Sequence, residues 1–140
     1  SRAIIGYFED KWPDGALLGS TPEARAHARD IERVIDLRLA SAMGGYGHAV
    51  NSPLGYPQDM EKAGQLEDAM QAPLDYLENL LADGRPLLTG ERVSVAVCTM
   101  QASLQFVRYV ECDVFGERPL LRAWDERYRE RPAAQAVLRW

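Results

Sequence analysis

No stretch of this 140-residue sequence is apolar for long enough to cross a membrane as a helix, and none alternates apolar with polar residues over the length of a strand. The first absence argues against a membrane-spanning helix, the second against a sheet protein. A signal-peptide pattern is missing too. Cysteine is scarce: only Cys98 and Cys112 occur, in a segment that reads as one helix. Fourteen residues of helix would hold them roughly 21 Å apart at about 1.5 Å per residue, too far for a disulfide. Two free thiols fit a reducing compartment, so the cytoplasm is the expected location.

Catalytic and metal-binding patterns are equally thin. The only histidines, His27 and His48, fall on different elements with no cysteine or carboxylate at ligand spacing, which predicts no metal centre. There is no phosphate-gripping loop followed by Lys-Ser/Thr, no HExxH and no serine on a strand-to-helix elbow. Cys98 stands in the first turn of a helix, where the dipole lowers a thiol pKa, but Val97 and Met100 would bury it and raise the pKa again. Basic residues are present without being gathered: 16 Lys and Arg face 21 Asp and Glu, for a net charge of −5. A nucleic-acid surface lacks its electrostatic footprint.

What the sequence does contain is helix. Ser1 can cap a first helix carrying Ile4, Tyr7, Phe8 and Trp12 at three- and four-residue spacing, with Pro13 as its end. Thr21-Pro22 is a cap followed by proline at the first helical position. The long helix it starts places Ala24, Ala28, Ile31, Val34, Ile35, Ala42 and Met43 on one stripe, with Arg29, Glu32, Arg33 and Asp36 as spaced opposite charges on the other side. Gly44-Gly45 should stop it, and "GGYGHAVNSPLGYPQ", with four glycines and two prolines, reads as a loop.

A second long helix is expected from about Asp59 to Asp83, with Ala63, Leu66, Met70, Leu74, Leu77 and Leu81 on one face and Gly84 as its stop. Pro73 should kink it or divide it in two. Val95 to Val110 is apolar on almost every face, the mark of a helix enclosed by neighbours. A further helix uses Leu120, Leu121, Trp124 and Tyr128, and Arg131-Pro132 opens a last short one ending at Trp140. The class is therefore all-α.

Three of these stretches resemble the glutathione transferase family in order and spacing. "SRAIIGYFEDKWP" is similar to the family's Glu/Gln-Ser-x-Ala-Ile segment, "LLTGERVSVAVCTM" to its Gly-x-x-x-Ser/Thr-x-x-Asp core helix, and "PLLRAWDERYRERPA" to its Trp-containing closing helix before Arg-Pro. The resemblance implies that residues 1–13 are the last helix of a thioredoxin-like domain, 14–20 a linker, and 21–140 the helical C-terminal domain, with most of the thioredoxin-like domain outside this sequence. It implies a protein that conjugates glutathione, as co-substrate rather than cofactor, to hydrophobic electrophiles, and that pairs its two long helices across a homodimer. The catalytic Tyr, Ser or Cys would precede Ser1, so the 140 residues alone should be inactive.

The resemblance also implies site residues. Ser1 matches the serine that holds the γ-glutamyl carboxylate of glutathione, a role suited to a helix N-terminus, although a plain N-cap is the competing reading. Met43, Tyr46 and His48 would line the electrophile pocket, unless Met43 is core and Tyr46 merely loop. Ser94 would cap the core helix. In the family its partner three residues on is Asp, completing a capping box; here it is Val97. Ser94 would still accept from the Val97 amide, with Val93 as staple, and half the box would be lost at a cost of about 1 kcal/mol. Val97→Asp should raise the melting temperature if the box geometry is intact.

The alternative from another functional class is a non-catalytic glutathione transferase-like interaction module. The predominance of Arg and Ala over Lys points to a bacterial source.

Overall fold

The computed structural model describes residues 2–15 and 17–137. Helix α1 spans Arg2–Lys11, a 3₁₀ turn follows at Pro13–Gly15, and α2 spans Pro22–Val34. The chain then passes through a π-helical segment, Ile35–Ala40, directly into α3, Ser41–Asn51. Helices α4 (Met60–Leu81), α5 (Val95–Tyr109), α6 (Pro119–Arg129) and α7 (Pro132–Val137) complete the order. No strand occurs among the described residues, only an isolated bridge between Leu87 and Gly90. Ser1, and the final residues through Trp140 where the last helix was expected to end, lie outside the described residues.

Local chemistry sets most boundaries. Thr21 caps α2 by accepting from the Ala24 amide at 3.2 Å, with Pro22 behind it. Asp59 does the same for α4 from Lys62 N at 3.0 Å, and Gly84, at φ +85°, closes that helix with its amide on the Leu81 carbonyl. Pro73 lies buried within α4, which remains one helix rather than two. The carbonyl it leaves without a donor belongs to Ala69, on the exposed side where solvent can reach it.

Helix α5 runs through the middle of the bundle. It packs against α2, the π segment and α3, while α4 packs against α3 and α6. Val97, Met100, Leu104 and Val107 of α5 meet Ile31, Ile35 and Leu39, with Leu74, Leu77 and Trp124 in the same core. Leu39 joins this core although it was not placed on the apolar stripe, and Leu120, expected to face inward, is exposed.

The end of α5 overturns the reading of the two cysteines. The helix stops at Tyr109, and Glu111 takes φ +55° while its amide reaches the Arg108 carbonyl and that of Cys112 the Val107 carbonyl, each at 2.9 Å. This is a Schellman closure with glutamate at the left-handed position that glycine usually fills. Cys112 therefore lies beyond the helix that carries Cys98, and both are free.

The capping box is also different from expectation. Ser94 occupies the N-cap position in extended conformation, but its side chain makes no bond to a helix amide. Its hydroxyl instead accepts from Thr89 Oγ1 at 2.8 Å, and Val97 is wholly buried in the core. Because the box geometry is not in place, Val97→Asp would bury a carboxylate with its partner serine engaged elsewhere. We expect the variant to lower stability by about 1–2 kcal/mol, the desolvation penalty being partly offset by the helix N-terminus; thermal denaturation followed by circular dichroism checks this.

Candidate functional site

The glycine-rich stretch after Met43 is helix, not loop, and the reason is contact rather than propensity. A Cβ on Gly47 would stand 3.1 Å from the Phe106 carbonyl oxygen of α5, and one on Gly45 would stand 3.0 Å from Leu66 Cδ1 of α4. The glycines let α3 lie close to both neighbours, and the packing gained outweighs their low helix propensity. The loop begins only at residue 52. It is tied back to α3 by Asp59 N on the Ala49 carbonyl at 2.9 Å and by Gln58 Nε2 on the Val50 carbonyl at 3.1 Å.

Beside this crossing of α3 and α5 lies a cavity of about 400 Å³. Gly44, Gly47 and His48 line it from α3, Pro53 from the following loop, and Gln105, Phe106 and Tyr109 from α5. The lining is mainly apolar and includes no Asp, Glu, Lys or Arg, the composition expected of a small-molecule pocket. Phe106 is 47 % exposed and can present its ring to an occupant. The His48 ring is held through Nδ1 by Ser52 Oγ at 2.9 Å and lies 5.8 Å from the Tyr56 ring.

The structure separates the three residues expected at the electrophile pocket. His48 lines the cavity. Met43 is wholly buried among core side chains, one of the two readings its spacing left open. Tyr46 lies on α3 rather than in a loop and is half-buried on the far side, where its hydroxyl donates toward Cys112. That hydrogen bond, then burial, pushes the Tyr46 pKa up to about 12. Phe106 and Tyr109 escaped the sequence reading because they sit on a helix whose apolar positions all looked like core, and Gln105 because it is a polar residue of that helix with no motif around it. The spacing of Gly44 and Gly47, three apart, was the signal available for a close helix crossing.

Neither thiol is activated. Burial is the dominant influence on both Cys98 and Cys112 and raises their pKa, outweighing Arg131 near the first and the Tyr46 hydroxyl at the second. Among the described residues no group of three or more His, Cys, Asp or Glu side chains could hold a metal ion. No described helix is long and apolar enough to cross a membrane.

Helix α1 is fastened beside the long helix at several points. Arg2 Nη2 lies 2.8 Å from Glu32 Oε2 and 3.0 Å from Asp36 Oδ2, and Arg25 pairs with Asp10 at 2.8 Å near the other end. Glu9, only 7 % exposed, accepts from the Leu17 and Leu18 amides at 2.7 and 3.0 Å, and the Leu17 carbonyl accepts from Val95 N at the start of α5. The residue following Ser1 is thus anchored at Asp36, eight residues before Gly44 on the same continuous helical path. Ile4, Tyr7, Phe8 and Trp12 remain exposed.

Residues 34–132 match the family model of the glutathione S-transferase C-terminal domain. FtsZ-localized protein A of Caulobacter vibrioides is 28% identical over 152 residues, covering 100% of this chain and 64% of its own length. Glutathione S-transferase 2 of Saccharomyces cerevisiae is 27% identical, covering 97% of this chain and 60% of its own length. The crystal structure of Gtt2 from the same yeast matches with a TM-score of 0.81 at 28% identity, over 98% of this chain and 67% of that one. The chain spans about three fifths of the length of these two curated relatives. The core helix, the closing Trp helix and the all-α arrangement agree with that match, and the chain belongs to the glutathione S-transferase family through its helical C-terminal domain.

Proposed function

We propose that the intact protein is a glutathione transferase and that the α3–α5 cavity is the electrophile side of its site. The observation that carries this reading is the cavity's position. It opens about two turns along the helical path from Asp36, where Arg2 at the start of α1 is anchored, so a ligand there would lie roughly 12 Å along the helix from that anchor. Ser1 would hold the γ-glutamyl carboxylate through its hydroxyl and the helix N-terminus. A residue outside this sequence would stabilise the glutathione thiolate, whose sulfur bonds to the electrophilic carbon as the leaving group departs.

In this reading residues 1–13, which include α1, end a thioredoxin-like domain that covers the exposed Ile4, Tyr7, Phe8 and Trp12. Residues 14–20 are the linker and 21–140 the helical domain. The protein works in a reducing cytoplasm, as a homodimer. The intact protein is expected to conjugate glutathione to a chromogenic dinitrophenyl halide, and Ser1→Ala to raise KM for glutathione about tenfold, the loss of one charge-assisted hydrogen bond, with KM for the halide little changed. No conjugation above the uncatalysed rate would sink the transferase reading.

A non-catalytic, protein-binding role is the second reading. It draws on the relative described as FtsZ-localized protein A, whose 28% identity extends over the whole chain. Retention on immobilised glutathione together with turnover would exclude it.

A further inference from the structure

The hydrogen bonds around His48 indicate which of its ring nitrogens carries the proton. Nδ1 lies 2.9 Å from Ser52 Oγ, and Ser52 Oγ already accepts from the Leu54 amide at 3.2 Å. A serine hydroxyl has a single proton to give, and among the described residues Nδ1 is the acceptor placed to take it. Were Nδ1 protonated instead, Ser52 would accept twice and its own proton would find no partner in the protein. The network therefore selects the tautomer with Nδ1 as acceptor and the proton on Nε2.

Nε2 makes no hydrogen bond among the described residues, and the ring that carries it lines the α3–α5 cavity. Gln105 turns its own Nε2 back to the Gln101 carbonyl at 3.0 Å. No Asp or Glu in the lining competes for the imidazole N–H, and no Lys or Arg duplicates it. In so apolar a setting a hydrogen bond to an oxygen that gains negative charge is worth far more than in water. Ser52 and the Tyr56 ring, 5.8 Å away, hold the imidazole before any ligand arrives.

We propose that His48 assists the reaction at the electrophile, its Nε2–H donating to the oxygen on which charge develops when the glutathione thiolate adds to an α,β-unsaturated ketone or aldehyde. The sulfur bonds to the β-carbon, the C=C electron pair moves to form the enolate, and the oxygen takes up the charge against Nε2–H. Solvent then protonates the α-carbon, and no group leaves. The inference rests on reading the cavity as the electrophile side. To that reading it adds a residue with a role and a preference: conjugated carbonyl compounds over alkyl halides, whose departing halide leaves no oxygen to assist.

The test compares cyclohexenone with butyl iodide as electrophiles for the intact protein. His48→Phe keeps a ring in place and is expected to lower kcat for cyclohexenone at least about tenfold while changing that for butyl iodide less than about twofold. His48→Gln returns an N–H donor and should recover most of the loss. Ser52→Ala releases the tautomer and should lower the cyclohexenone rate about threefold. Equal losses with both electrophiles, or a cyclohexenone rate untouched by His48→Phe, would overturn the proposal.

A second measurement needs no turnover and no ring replacement. In the nitrogen NMR spectrum of the isotopically labelled protein at alkaline pH, the signals removed by His48→Gln should show Nδ1 unprotonated and Nε2 protonated. Cyclohexanone, which accepts a hydrogen bond but cannot react with a thiolate at a β-carbon, should shift the Nε2 signal, and chlorocyclohexane should not. The opposite tautomer, or no response to the ketone, refutes this inference alone, even in a protein that conjugates butyl iodide. The expected tautomer and ketone response in a protein that conjugates neither electrophile refutes the transferase reading and leaves the donor in place.

Discussion

Asp125→Ala is expected to destabilise the protein by about 3–4 kcal/mol, with a lowered denaturant midpoint and an unchanged m-value. Asp125, on α6, is 4 % exposed, and its Oδ1 receives both Gln101 Nε2, at 2.8 Å, and Arg108 Nη2 from α5. Arg108 also approaches Gln101 Oε1 at 3.4 Å, so the three side chains form one buried cluster. Alanine removes the single anion that both donors address. It leaves a guanidinium whose side chain is only 13 % exposed and an amide with no acceptor in its place. Asp125→Asn keeps an oxygen for one donor and loses the charge, so it should cost about half as much. If alanine costs less than about 1 kcal/mol, α5 and α6 are held by the apolar contacts of Leu121 and Trp124 alone.

Glu9→Ala is expected to cost about 2–3 kcal/mol and to loosen α1 from the bundle. The Glu9 carboxylate accepts two consecutive amides, those of Leu17 and Leu18, in a segment where Leu18 is itself buried against Ala28 and Val95. Each hydrogen bond to a charged acceptor is worth about 1.5–3 kcal/mol, and the two share one side chain, so their sum is not reached. The functional consequence separates this variant from Asp125→Ala. Glu9 fixes the segment joining α1 to the helices that carry the cavity, so on the proposed transferase reading its loss should raise KM for glutathione, whereas Asp125→Ala should lower stability with little change in KM. Hydrogen exchange should show the Leu17 and Leu18 amides losing protection in Glu9→Ala; retained protection would show that the linker is held without the carboxylate.

Much of the fold was legible from local signals. Thr21-Pro22, Asp59 and Gly84 act within a turn of where they stand, and their boundaries appear as expected. The apolar character of α5 predicted its central position, since a helix without a polar face must be surrounded. The same inference concealed the site: Phe106 and Tyr109 looked like two more core residues, and only the close crossing at Gly44 and Gly47 brings their exposed rings to the cavity wall. Ser94 was placed correctly at its helix start, but a local rule could not foresee that Thr89 would take its hydroxyl.

Sequence alone, through period, caps and motif order, determined the all-α class, most of the helix boundaries and the family resemblance, because each depends on residues a few positions apart or on side chains of one helix. Tertiary structure decided the rest. It made the glycine stretch a helix by pressing α3 against Phe106 and Leu66, it moved Cys112 off α5, and it paired Gln101 with Asp125 and Glu78 with the Leu121 amide across 24 and 43 residues of chain. The physical reason is common to all of these. Propensities differ by about 1 kcal/mol or less per residue, while close packing and buried polar pairs, formed only when distant segments meet, are worth several times that.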